Sequence, residues 1–248
     1  PALDYVLGDS ACATVIASPE YASVIEPLCL NRGIALHTLD KWPGFTNGEL
    51  PEIDPGRRAM ILYTSGTTNL PKGVVTTHRN IRAQINTLVK AWRWSEADHT
   101  LCVLPLHHVH GIINVVSCSL WAGACCEFLP EFDPANIFSV FLRGQVNVFM
   151  AVPTIYFKLI AAWEHLPALE QRRLSEVMKK MRLMVSGSAA LPVSVMEKWE
   201  AVSGHRLLER YGMTELGMAI SNPYEGERRS GCVGLPLEGV EVRLRDEK

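Results

Sequence analysis

"LYTSGTTNLPKGVVTTH", residues 62–78, sets six consecutive small or hydroxyl-bearing residues, Thr64 to Asn69, between two strand-like runs, with Lys72 just beyond them. A strand, a polar loop and a second strand make the hydroxyls part of an exposed connection. Glycines let backbone N–H groups approach phosphate oxygens, hydroxyls donate further hydrogen bonds, and a lysine adds a point charge. Thr64, Ser65, Gly66, Thr67, Thr68, Asn69, Lys72 and Gly73 are therefore candidate phosphate contacts. The spacing is not that of a Walker A loop, which needs G-x-x-x-x-G-K-[ST]. Here Pro71 precedes the lysine and no Ser or Thr follows it.

Working outward, short apolar runs alternate with amphipathic ones. "ATVIAS", "IALHTL", "AMILYT", "GVVTTH", "TLCVLP", "CCEFLP", "NVFMAV", "RLMVSG" and "RLLERYG" read as strands. Ile81, Ile85, Leu88 and Trp92 fall on one helix face, and Pro153 and Pro192 suit the first turns of two further helices. Continuously apolar strands separated by helices predict an α/β fold of mostly parallel sheets flanked by helices. Residues 1–222 form the expected α/β core. From 223 to 248 glycine turns and β-branched alternation announce the start of a β-rich subdomain.

Composition narrows the function classes. A net charge of −2, without a Lys/Arg block, gives no electrostatic case for a nucleic-acid partner. Thr100 to Cys126 contains no Asp, Glu, Lys or Arg. Yet Gly123 leaves only about a dozen apolar helical residues before a short strand, where a bilayer needs ~20, so core is expected there rather than membrane insertion. Seven cysteines without C-x-x-C spacing read as free, buried thiols. His107, His108 and His110 lack the companion that a closed zinc site needs. The chain opens at Pro1 and is expected to be an internal portion of something longer.

Four motifs in order carry a resemblance. "YTSGTTNLPKG" (63–73) resembles the signature loop of the adenylate-forming superfamily, which comprises acyl-CoA synthetases, luciferases and peptide-synthetase adenylation domains. It departs at Asn69, where the family usually has glycine; asparagine tolerates left-handed backbone angles better than most residues. "PLHHVHG" (105–111) resembles the element lining the acyl pocket, with His108 and Gly111 on matching positions. "VSGSAALP" (185–192) resembles the segment bordering adenine, which implies Gly187, Ser188 and Ala189 as nucleotide contacts. "ERYGMTELG" (209–217) resembles Y-G-x-T-E, which implies nucleotide contacts from Glu209, Arg210, Tyr211, Gly212, Met213 and Thr214, the last at the α-phosphate. Glu215, with Thr67, would face Mg²⁺.

The resemblance implies ATP, Mg²⁺ and coenzyme A as the small-molecule partners. Lys72, His108, Thr214 and Glu215 are the implied catalytic set. The expected reaction joins a carboxylate to the α-phosphate of ATP and passes the acyl group to a thiol. The chain would be the central part of the large N-terminal domain, with the ribose-binding aspartate, the hinge and the C-terminal lid domain beyond Lys248. A fragment that only binds nucleotide, an adenylation domain loading a carrier protein, and a synthetase for another short or medium-chain acid are the rival readings.

Arg210 bears on which acid is used. It stands where many relatives with greasy substrates carry glycine, and a guanidinium suits a second carboxylate held bidentately. A small dicarboxylate, malonate or methylmalonate, is the expected substrate. "LLERYGMTE", "MRLMVSGSAALP", "VPTIYFKL" and "SNPYEG" resemble the malonyl-CoA synthetases, including the mitochondrial acyl-CoA synthetase family member three group. That implies the mitochondrial matrix, or the cytoplasm for a bacterial source. Each residue also has a plainer reading: Arg210 in an ion pair, Glu215 in a surface salt bridge, His110 as an ordinary core histidine, Arg182 structural and Lys158 a solvated surface residue.

Overall fold

A computed structural model describes residues 2–41, 48–49, 51–65 and 70–246. Gly66, Thr67, Thr68 and Asn69 of the expected phosphate loop lie outside the described residues. The chain divides into two compact units, residues 1–78 and 79–248.

The first unit contains α1 (Ala2–Asp9), β1 (Thr14–Ala17), α2 (Pro19–Arg32), β2 (Ala35–Thr38), β3 (Arg58–Thr64) and β4 (Lys72–Thr77). Strands β1 and β2 pair in parallel, as a strand–helix–strand unit requires. Strands β3 and β4 form an antiparallel hairpin whose ladder ends with Thr64 opposite Lys72. Lys72 is the exposed first residue of the hairpin's returning strand. The Tyr63 hydroxyl, on β3, donates to Asp9 Oδ2 at 2.7 Å and ties the hairpin to α1.

The second unit begins within α3 (His78–Ala91) and continues through β5 (His99–Cys102) to a π-helical segment, His110–Ser117. Next come α4 (Cys118–Trp121), β6 (Cys125–Phe128), α5 (Pro134–Leu142), β7 (Val148–Ala151), α6 (Pro153–Glu164) and α7 (Ala168–Met178). The unit closes with β8 (Leu183–Ser186), α8 (Val193–Ser203), β9 (Leu208–Met213), β10 (Gly217–Ser221) and β11 (Leu235–Pro236). One seven-stranded sheet runs in the order β6-β5-β7-β8-β9-β10-β11. The strands from β6 to β9 pair in parallel, as their apolar runs predict, while β10 and β11 are antiparallel additions.

All four residues of β7 and of β8 are buried, the mark of strands covered on both faces. Phe149, Tyr156 and Trp199 stack edge to face through the core that α5, α6, α7 and α8 build on the sheet. Pro153 opens α6 as expected; Pro192 is the cap residue just before α8. The seven cysteines are free, but Cys125 and Cys232 are exposed rather than buried. Cys125 lies on β6, an outer strand of the sheet, where one face is solvated. Among the described residues no helix is long and apolar enough to cross a membrane.

Arg182 takes its structural role. Its Nε and Nη2 bind both carboxylate oxygens of Asp98, at 2.5 and 2.6 Å, and its Nη1 donates to the Trp92 carbonyl at 2.9 Å. Asp98, whose side chain is 1% exposed, also accepts from the Ser95 N–H at 2.8 Å. This fork locks the starts of β5 and β8 to the end of α3. Arg182→Ala leaves a buried carboxylate without its counter-charge and is predicted to cost about 3–5 kcal/mol in urea denaturation of the full-length protein. A loss below about 1 kcal/mol would contradict a buried, bidentate pair.

Candidate active site

In a parallel sheet the carboxyl ends of all strands reach one edge, where loops and ligands gather. Beyond β5 the chain runs through Pro105–Gly111; beyond β8 it runs through Gly187–Leu191; beyond β9 it turns at Thr214–Glu215. Three of the four motifs therefore meet at one edge of the second unit. The fourth, ending at Lys72, belongs to the first unit.

Arg210 dominates this edge electrostatically. It is 3% exposed, and neither its Nε nor its Nη2 has a hydrogen-bond partner. No acid forms an ion pair with it among the described residues, which disposes of the plainer reading. Desolvation brings its pKa down to about 10, so the guanidinium stays charged at neutral pH. The residue fits where it does because Gly187 has no side chain. A Cβ at Gly187 would lie 2.5 Å from both Cζ and Nε of Arg210.

His110 is the neighbour that sequence reasoning left open. It is 2% exposed and opens the π-helical segment; its Nδ1 lies 3.2 Å from Ser188 Oγ, and its Nε2 has no partner. Burial, followed by the nearby charges of Arg210 and His108, holds its pKa well below the ordinary histidine value. A neutral imidazole is thus placed next to a cation and adds no second positive charge. Ser188 reaches His110 from a left-handed backbone, φ +70°. Such a conformation is strained for a residue with a Cβ and tends to be kept where a site needs it. His110 sits two residues past His108 in a run without charges, and only that isolation could have hinted at a role.

The other expected residues are distributed around this group. His108 is exposed, with its ring 4.2 Å from that of His107, and burial first, then His107, lowers its pKa. Gly111 is buried at the start of the π-helical segment. Ala189 is exposed on the loop after β8, as is Ser188. Glu209 points its carboxylate elsewhere: Oε1 accepts from the Leu191 N–H at 2.9 Å, anchoring that same loop, and burial raises its pKa. Tyr211 and Met213 are exposed, Gly212 and Thr214 half-buried. Glu215 stands exposed on the turn after β9, with no hydrogen bond or ion pair to any described residue. A free, exposed carboxylate has the hard oxygen that Mg²⁺ prefers.

Neutral His110 makes stability depend on pH. Its folded pKa is depressed below an unfolded value of about 6.5. The unfolded chain therefore binds the extra proton, and stability falls as pH drops below about 6.5. Between pH 7.5 and 5.5, wild type is predicted to lose about 1 kcal/mol more than His110→Gln in urea denaturation. Parallel profiles for the two would contradict a buried neutral imidazole.

The AMP-binding enzyme family model matches residues 1–248. Mitochondrial malonate–CoA ligase ACSF3 of Xenopus laevis is 48% identical over 97% of this chain and 44% of its own length. Among solved structures, ATP-bound MatB from Rhodopseudomonas palustris is 36% identical, with a TM-score of 0.84 over 96% of this chain and 47% of that one. A malonyl-CoA ligase complex with methylmalonyl-CoA and AMP bound is 35% identical, with a TM-score of 0.86 over 98% of this chain and 50% of that one. The chain spans less than half the length of the malonate–CoA ligase relative reported above.

Proposed function

This chain belongs to the AMP-binding enzyme family, and from that premise we propose that the whole protein is an ATP-dependent ligase joining a small dicarboxylic acid, malonate or methylmalonate, to coenzyme A. The observation that carries the choice of acid is Arg210: a buried guanidinium with two unpartnered nitrogens and no acid beside it. A buried charge without a partner is costly, and a bidentate carboxylate is the ligand that offsets the cost. Neutral His110, held near Ser188, adds a polar neighbour that does not repel a second cation. An alkyl chain in the same place would leave the guanidinium desolvated and unpaired.

Activation of a carboxylate by ATP brings two anions together, so the barrier is largely charge repulsion and positioning. In this reading Lys72 and the loop N–H and hydroxyl groups around it hold the triphosphate. Thr214 holds the α-phosphate, and the 187–189 backbone borders adenine. The diacid's distal carboxylate is held by Arg210, which leaves the proximal one directed at phosphorus. Tyr211, Gly212 and Met213 carry the chain between these two contacts. Glu215 would hold Mg²⁺, with Thr67 the second expected contact. That ion would supply charge neutralisation for the departing pyrophosphate. His108 and Gly111 line the acyl side, and coenzyme A accepts the acyl group from the adenylate. Residues 223–248 begin the β-rich subdomain. Relatives named as mitochondrial support the matrix as the compartment.

Removing a charge-assisted, bidentate partner costs about 3 kcal/mol. In the full-length protein, Arg210→Gly is therefore predicted to lower kcat/KM for malonate by roughly 100-fold while changing that for acetate only a few-fold. Pyrophosphate release reads both. Equal losses on the two acids would remove Arg210 from the acid's distal end, and octanoate used as well as malonate by wild type would remove the diacid reading.

A further inference from the structure

The turn that carries Thr214 and Glu215 joins β9 to β10; it closes on the Met213–Gly217 pair of the ladder, and the Leu216 N–H donates to the Met213 carbonyl at 3.3 Å. Thr214 and Glu215 themselves make no ladder pair, so holding their side chains still calls for support from outside the turn. That support comes from α3. The Gln84 side-chain amide engages both main-chain groups of Met218: Nε2 donates to the Met218 carbonyl at 3.2 Å, and the Met218 N–H donates to Gln84 Oε1.

One primary amide facing the N–H and C=O of a single residue reproduces what a neighbouring strand residue offers in an antiparallel ladder. Its location explains the need. On one side β10 pairs with β9, Met218 opposite Gly212, and the register slips between Met218 and Ile220. On the other side β11 pairs only with Ile220 and Ser221. Met218 therefore lies on a stretch of β10 that β11 does not reach, next to an irregularity in the ladder. Gln84 fills that gap.

The fit also requires Gly217, which takes φ +70°. A Cβ there would sit 2.6 Å from Gln84 Cδ and 2.9 Å from Cγ, so the amide is seated on the bare Cα of the residue before Met218. Gln84 is itself fixed, because Ile85 and Leu88 anchor α3 in the core at 5% and 0% exposure.

We propose that Gln84 is a positioning residue: its amide clamps Met218 and so holds the Thr214–Glu215 turn in place for the nucleotide and its cation. This rests on the ligase reading given above. The helix would act on the reaction without touching substrate, through a side-chain surrogate for a missing strand.

The test uses full-length protein carrying Gln84→Met, which keeps length and loses both hydrogen bonds, or Gly217→Ala, which displaces the amide. Amide hydrogen exchange of residues 213–218, without nucleotide, reads the clamp directly. Steady-state pyrophosphate release with malonate reads its consequence. Each variant is expected to exchange the 213–218 amides at least about 10-fold faster and to lower kcat about 10-fold, with KM for malonate unchanged because Arg210 pairs with Ser221, on the far side of the register slip from Met218. A 10-fold loss corresponds to about 1.4 kcal/mol at the transition state. The double variant should be no worse than the poorer single one, as expected for two changes that break one contact. Unchanged exchange overturns the clamp. Faster exchange with unchanged kcat overturns its catalytic role and leaves the ligase reading intact. A wild-type protein that releases no pyrophosphate with any acid overturns that reading and the catalytic role together, while exchange still decides the clamp. Should Gln84→Met fail to fold, Gly217→Ala carries both readouts.

Discussion

A guanidinium shut away from water with no acid beside it is the constraint around which the second unit is arranged. Transfer of such a charge into a protein interior is strongly unfavourable unless something negative meets it. Arg210 nonetheless remains charged, with Nε and Nη2 lacking partners. The surroundings accommodate it rather than satisfy it. Gly187 withdraws its side chain so that the guanidinium can lie on its Cα, and His110 is kept neutral by burial. A group left short of partners in this way is poised for a ligand that brings two oxygens of its own.

The fold delivers these groups together by the logic of a parallel sheet. Strands β5, β8 and β9 end at the same edge, so segments far apart in sequence emerge side by side. The rigid part of that arrangement is the fully buried β7–β8 pair and the aromatic stack beneath it. The opposite ends of β5 and β8 are fixed by the Arg182–Asp98 fork. Two arginines thus serve opposite ends: one has its carboxylate built in, and the other lacks one.

Much of this was legible in the sequence, for identifiable reasons. The central strands are continuously apolar, and their helices carry apolar faces or opening prolines, so periodicity alone gives the α/β class. Arg210 could be singled out because it replaces glycine inside a recognisable motif. His110 could not be assigned, because its partners Ser188 and Arg210 lie about 80 and 100 positions away and no local pattern encodes such a meeting. Gln84 and Met218 are farther apart still, and a lone glutamine on a helix looks like surface. Strand β10 has little sequence signal, because "GMAIS" is short and opens on a glycine, a residue type that marks turns. Gly66 to Asn69, the centre of the expected phosphate loop, lie outside the described residues.

The direct measurement is a crystal structure of the full-length protein with a non-hydrolysable malonyl-adenylate analogue. The account predicts both oxygens of the distal carboxylate within about 2.7–2.9 Å of Arg210 nitrogens, as charge-assisted pairs require. A distal carboxylate lying in solvent, or bound by another cation while Arg210 keeps its nitrogens unpartnered, would contradict it.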